Sequence, residues 1–544
     1  MPNTIHIIGQ SPLLPSLEAF YTQRGTSVVR HTLPLEADIA HESAEGDSCI
    51  LFSRDDHEAL RTLALLAAQM HRLLAAPDDG SEGLIAPRKL PVRLVLRDAV
   101  TLQAIRLADF PPEVNAQLDV EVFTLEEMWA QRVLCPMPGA AGDADAATDE
   151  AADRYPPLDR RPIGPDSSDR VHLVVIGTGA TAEALVRMAS LVAHYPNYVR
   201  NPQLRTRITW VGCGMDNVGA SFRHRHFQLF ARSHWRTVSL AGPLPVVTAE
   251  HRPDDCPSLA DEFVDVEWEF ADGPATHPAL QQKLALWATL PDRLLTIALC
   301  DAGDTANASL AMGLPEEVGA NGCTVLVEQT DDSLIGTLRT AARWQHIHAF
   351  GMLRSAYNPL LPRHRLARLL NAFYSASYSA SPFTLDEAEV GRLWQQVPSA
   401  ALRDSNLCAV LTFRTKMRSL GHDESQPHTF YALSADEARL LSEVEHNRWS
   451  VERLMAGFRP PTPSERDDIR RNIEAHIAAR TAGAPAPEAD LKRMMKNERR
   501  VHYDLCPYAR LGVDATGHDV RDYDTDLTAC IPILMERWAE MLKR

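Results

Sequence analysis

The sequence has no run of about 20 nearly uninterrupted apolar residues, the length that a bilayer-spanning helix needs. Its most apolar helical stretch, around 58–76, is broken by Arg61, Gln69, His71 and Arg72. Membrane insertion is therefore not expected. A basic surplus is missing too: 55 Lys and Arg stand against 72 Asp and Glu, a formal charge of −17. Sequence-blind binding to nucleic acid or anionic lipid needs a basic surface, so neither partner is expected. Nine cysteines (49, 135, 213, 256, 300, 323, 408, 506 and 530) are scattered, with no CxxC pair. Cysteines inside strand-like runs serve as small buried apolar residues in reducing surroundings, so no disulfide and no zinc site are expected. The opening MPNTIHIIGQSPLLPSLEAF has neither a basic flank nor a long apolar stretch. A secretory signal is not expected, and a cytoplasmic location is.

What is present is an ordinary globular composition, 45% apolar and 23% charged, over 544 residues. That length exceeds one hydrophobic core and suggests about three domains. Residues 1–135 alternate apolar, β-branched runs at 4–8, 27–30, 49–52, 92–96 and 120–123 with helical stretches at 13–24, 56–75 and 101–108. Such alternation implies parallel βαβ units, and a Rossmann-like α/β domain is expected. Gly9-Gln-Ser-Pro12 is a poor phosphate loop and is read as scaffold. Residues 136–169 are dominated by Pro, Gly, Ala and Asp without periodicity, and are expected to be a flexible linker. A second alternation follows over 170–345, with strands expected at 171–176, 208–211, 264–268, 294–299 and 324–327. Residues 346–434 read as a helical connector, and 435–544 as a mainly helical domain with an exposed insert near 478–490. The expected fold is thus α/β, two doubly wound domains followed by a mainly helical one.

The sharpest motif is Gly177-Thr178-Gly179-Ala180-Thr181-Ala182, directly after a strand and opening a helix. This is the setting that the GxGxxG/A fingerprint requires. Gly177 permits the tight turn, Gly179 lets backbone approach a phosphate, and Ala182 lets the helix pack closely on the sheet. Free amides at the helix start, aided by the helix dipole, would receive the phosphate. The acidic residue that usually binds ribose is best matched by Asp216, although it lies 39 residues past Gly177 (216 − 177) rather than about 20.

No partner set for hydride transfer accompanies the motif, which leaves catalysis without named residues. Histidines at 224 and 226, 346 and 348, and 364 are expected to be solvated or interdomain rather than metal ligands. Their neighbours Arg223, Arg225, Arg363 and Arg365 suit an anionic ligand or a partner domain.

The IGTGAT turn, the 295–299 strand with Asp301 after it, and the 325–327 strand resemble the TrkA-N class, the regulatory domains of potassium uptake proteins. Further on, Glu445-His446-Asn447-Arg448-Trp449, Glu452-Arg453-Leu454 and Gly457-Phe458 resemble the opening helix of a ryanodine-receptor-type repeat (RyR) domain. His502-Tyr503-Asp504, Pro507-Tyr508, Tyr523-Asp524 and Ile531-Pro532 match that family's second half in order. Phe458 stands where the family usually has Trp, Arg459-Pro460-Pro461 replaces its Tyr-Gly turn, and 467–498 is longer than expected. The RyR resemblance implies binding of adenine nucleotides. Trp449 and Phe458 would stack on the base, and Arg448 would read a phosphate or carboxylate as a bidentate fork.

The resulting expectation is a non-catalytic regulatory sensor for a nucleotide such as NAD(H), ATP or an ADP-ribose-type molecule, acting within a homo-oligomer. By resemblance it would serve prokaryotic signalling, antiviral defence or ion-transport regulation. Two alternatives stand beside it: an enzyme acting on NAD or an NAD-derived nucleotide, and an assembly module with a vestigial Rossmann turn.

Overall fold

The computed structural model describes residues 4–23, 25–44, 46–75, 89–136, 155–253, 262–301, 303–353, 362–378, 386–397, 399–422 and 432–541. The chain divides into two compact units. One holds residues 1–130 and 351–407, the other 131–350 and 408–544.

The first unit is built on a five-stranded sheet in the order β2-β1-β3-β4-β5, every pair parallel. The strands are β1 (Thr4–Ile8), β2 (Ser27–His31), β3 (Ser48–Phe52), β4 (Leu90–Leu96) and β5 (Leu118–Thr124). β3 is buried along its whole length, as a central parallel strand covered on both faces must be. Gly9 ends β1 at φ 148, where a Cβ would lie 2.0 Å from the Phe52 carbonyl oxygen. The bare backbone is what lets β1 turn beside the end of β3. Helices from late in the chain complete this unit. The Arg368 guanidinium reaches Glu121 at 2.6 Å, and Arg403 reaches Asp119 at 2.6 Å.

The second unit carries eight strands in the order β13-β12-β11-β6-β7-β10-β8-β9, parallel except for β9. They are β6 (Arg170–Ile176), β7 (Thr206–Gly212), β8 (His234–Ser239), β9 (Val246–His251), β10 (Val266–Asp272), β11 (Arg293–Leu299), β12 (Thr324–Glu328) and β13 (Ile347–Phe350). The 171–176 run is wholly buried, which explains its unbroken apolar character. Strands β8, β9 and β13 go beyond those expected from the sequence pattern. Every residue of β9 but His251 is exposed, so it has no apolar alternation to betray it.

The C-terminal part of this unit is helical, with helices Phe413–Ser419, Ala435–Met455, Pro463–Ala482, Leu491–Arg499 and Arg521–Met541. A capping box between Ser434 and Glu437 starts the Ala435–Met455 helix, and a second between Thr462 and Glu465 starts Pro463–Ala482. The stretch expected as an exposed insert near 478–490 begins inside that helix, which Gly483 ends in the left-handed region at φ 63.

Two boundaries differ from expectation. Residues 137–154 of the expected linker lie outside the described residues, but 155–169 are packed. Tyr155, Leu158, Asp159 and Ile163 are buried. The Tyr155 hydroxyl donates to Ala349 O at 2.8 Å, and Arg418 Nε donates to Asp159 at 3.0 Å. A strap held by tertiary contacts needs no periodicity of its own, so composition alone misreads it. The expected 346–434 connector is likewise divided, its residues 351–407 belonging to the first unit and the rest to the second.

Candidate functional site

The Gly-rich turn sits at the C-terminal end of β6, whose neighbours are β11 and β7. The chain runs from β6 to β7 on one side and later crosses from β10 to β11 on the other, and such a reversal opens a crevice at the carboxyl ends of the strands. Gly177 (φ 131) fills the narrowest place: a Cβ there would lie 2.2 Å from Cys300 O at the end of β11. Its own polar groups are used internally. Its amide donates to Val211 O at 2.9 Å, and its carbonyl accepts from the buried Trp210 indole at 2.7 Å. Gly177 therefore shapes the turn and does not receive a ligand.

The next residues differ. Thr178 lays its methyl 2.5 Å from where a Gly212 Cβ would stand, so the glycine ending β7 makes room for it. Gly179 is exposed and open: nothing lies within 4 Å of its Cβ position among the described residues. Ala180 opens the helix Ala180–Val192 and is exposed, while Ala182 is fully buried beneath it. Thr181 is buried and its hydroxyl donates to Glu328 Oε1 at 2.7 Å. Among the described residues, the backbone amides of Thr178 to Ala182 meet no protein acceptor, and the first intrahelical bond is Glu183 N to Gly179 O. These are the orphan donors that any helix start leaves over.

Asp216 lies exposed in the first turn of the helix Met215–Arg225 that follows β7. The acceptor pinning that helix start is Asp272 at the end of β10, which takes the Met215 amide at 2.7 Å. Two acidic residues that the fingerprint did not single out lie at the same strand ends, Asp301 two residues past the end of β11 and Glu328 closing β12. Burial drives the Cys300 thiol far above its ordinary range, and the charges of Glu328 and Asp301 add to that. Their signal was positional, since both follow apolar strands at the edge where the glycines lie.

The second candidate region lies on the Ala435–Met455 helix. Arg448 does not serve there as the anion fork. It is 1% exposed, with Nη2 on Glu445 at 2.7 Å and Nη1 on Glu452 at 2.7 Å. Glu445 also accepts from the buried Lys416 ammonium. Burial alone would raise the Glu445 carboxyl, but Arg448 and Lys416 hold it down to about 2. The i−3 and i+4 spacing of the two acids made this outcome readable, because residues so spaced share one helix face.

Trp449 and Phe458 are brought together, with His502 between them. Trp449 is half-buried, stacked on His446 at 5.6 Å, and edge-on to His502 at 4.8 Å. Phe458 meets the same imidazole at 6.0 Å. The Arg453 guanidinium lies 5.9 Å from the Phe458 ring centroid. Lys492 pairs with Asp504 at 2.9 Å. Burial, then the charges of Lys496, Arg453 and Lys492, hold His502 well below the usual imidazole range. The cations of this cluster are thus Arg453, which the motif contains, and Lys492 and Lys496, which it does not.

The histidine clusters divide. His226 is buried, its Nδ1 3.2 Å from Met455 O, while His224 is exposed. Helices Ala180–Val192, Asn197–Arg200 and Phe227–Phe230 all pack on the Ala435–Met455 helix. No family model matches the chain, and neither does any curated protein or solved structure.

Proposed function

We propose that this chain is a non-catalytic regulatory sensor that binds a nucleotide or nucleotide-derived signal. The anionic part would lie on the amides of Thr178 to Ala182, in a TrkA-N-like Rossmann setting. The observation that carries the reading is that these amides meet no acceptor among the described residues while Gly179 faces open space. A helix N-terminus after a parallel strand is a ready anion site. Support also comes from the strand order β10-β7-β6-β11-β12-β13, which follows the dinucleotide-binding order 3-2-1-4-5-6 once β8 and β9, inserted in the chain before β10 and placed outside it in the sheet, are set aside. Trp449, Phe458 and His502, with Arg453 and Lys496 beside them, suit a stacked base and its phosphates in an RyR-like domain.

The helix that begins at the turn packs on the helix that carries Trp449. A ligand that favours one arrangement of that contact would be felt at both regions, provided its affinity differs between the two states. The reading includes a cytoplasmic homo-oligomer acting in prokaryotic signalling, antiviral defence or ion-transport regulation.

The test is the melting temperature of the purified chain with NAD, NADH, ATP or ADP-ribose added singly. Binding stabilises by about 2.7 kcal/mol at a hundredfold excess over Kd. Failure of all four to move the transition would leave an assembly module with a vestigial turn. One observation favours a second reading, an enzyme acting on an NAD-derived nucleotide: the Glu328 carboxylate meets the turn at Thr181, and the Asp301 backbone lies against Gly177. Chromatography of the same mixtures after incubation would reveal its turnover.

A further inference from the structure

Outside both regions, the first unit gathers a different set of donor atoms. β1 and β2 pair in parallel with His6 opposite Val29 and Ile8 opposite His31. The two histidines therefore stand on one face of the sheet, two residues apart diagonally. His6 Nδ1 lies 3.0 Å from His31 Nε2. Glu42, at the end of the helix Ile39–Glu42, brings a carboxylate oxygen to the same place, and the three donor atoms all lie within 4.8 Å of one another.

His6 is 3% exposed. Its other nitrogen, Nε2, makes no hydrogen bond and faces the buried Asp47, with 3.9 Å between Nε2 and Oδ2. Asp47 is itself fixed, accepting the Thr4 and Ala44 amides at 2.8 Å each. Asp47 thus lies on the Nε2 side of the ring, and Nδ1 faces His31. Carboxylate, imidazole and metal commonly follow one another in that order. Two ligands at Zn–N distances of about 2.0–2.1 Å in a tetrahedron stand about 3.3 Å apart, close to the observed nitrogen separation.

We propose that His6 Nδ1, His31 Nε2 and a Glu42 carboxylate oxygen bind one divalent late transition-metal ion of the zinc type, with Asp47 as the positioning carboxylate. Two imidazoles and one carboxylate suit Zn2+ rather than Mg2+ or Ca2+, which take all-oxygen shells. Three protein ligands leave a fourth position for water or an incoming donor. His31 is only half-buried and Glu42 is exposed, so an ion has a way in. The ion would tie the 27–47 segment to β1.

The test uses the full chain, stripped with a chelator and titrated with Zn2+ against a chromogenic competitor. The chain has 21 histidines, so the readout is the difference between variants. His31→Ala and Glu42→Gln are each expected to bind one equivalent fewer or at least tenfold more weakly. Asp47→Asn should weaken the same equivalent by about 10–100-fold. His41→Ala, at the exposed neighbour of Glu42, should match the parent. Co2+ in the same position should give tetrahedral d–d absorption that Glu42→Gln diminishes, with circular dichroism of the same sample matching the parent. Unchanged stoichiometry and affinity in both His31→Ala and Glu42→Gln would overturn the site and leave a histidine pair bonded directly to each other.

Discussion

The missing side chain of Gly177 and the carbonyl oxygen of Cys300 occupy the same space: a Cβ would come within 2.2 Å of that oxygen. Gly179, two residues on, has φ −79 and nothing within 4 Å of its Cβ position among the described residues. The two glycines of one motif therefore do separate jobs. The first closes the end of β6 against β11, and the second keeps an approach open.

Gly177→Ala should consequently damage the fold. A positive φ costs a non-glycine residue about 1–3 kcal/mol, and contact with a backbone carbonyl adds to that. Denaturant unfolding should show a loss of about 2 kcal/mol or more. Gly179→Val should leave the midpoint within about 1 kcal/mol, because there is space and an ordinary φ. It should instead abolish any nucleotide-induced rise in melting temperature. A Gly179→Val chain that still responds fully to nucleotide would remove the turn from the binding site.

Arg448 and Arg453 should separate in the same way. Arg448→Ala leaves Glu445 with Lys416 alone and Glu452 with Arg453 alone in a buried setting, and breaking one side of a buried pair costs about 3–5 kcal/mol. Arg453→Ala, at a half-buried position beside Phe458, should cost less stability and weaken nucleotide binding. Calorimetric unfolding with and without ligand measures both quantities on each variant.

Trp449→Ala should reduce nucleotide affinity by the worth of one stacking platform, about 1–3 kcal/mol. A purine nucleotide should lose more than a bare triphosphate. Equal losses for both would mean that the ring packs within the protein and touches no base.

Acid stability should fall in two windows. His226 is lowered from 6.5 to about 3 by burial, the Met455 carbonyl offsetting only part of this. The unfolded chain takes up that proton first, so the stability His226 allows is complete above about pH 6.5 and lost as the pH falls toward 3. Glu445, lowered from 4.5 to about 2, contributes stability that is complete above about pH 4.5 and is lost as the pH falls toward 2. Melting temperature against pH should decline below 6.5 and steepen below 4.5. His226→Gln should flatten the upper part and Glu445→Gln the lower. A parent curve that stays flat from about pH 7 to about pH 4 would contradict the burial of His226.

Local physics made much of this protein legible from its residues. Short continuous apolar runs such as 171–176 and 294–299 fit strands buried on both faces, and the glycines after them fit turns. The alternation of strand and helix then dictated parallel α/β sheets, because chain direction and helix length leave few other ways to cover them. The resemblance made Arg448 an anion fork, while the sequence also sets Glu445 and Glu452 three and four residues away from it. Helical spacing alone could not say whether a ligand or those acids would hold the guanidinium. Only three-dimensional packing decided that, by burying all three side chains with Lys416 from another helix. It also decided the partnership of His6 with His31, the docking of residues 155–169, and the place of 351–407 among the first strands. Periodicity reports the environment that a residue shares with its sequence neighbours. It carries no record of contacts closed between distant segments, where the charge partners and donor clusters of this chain are made.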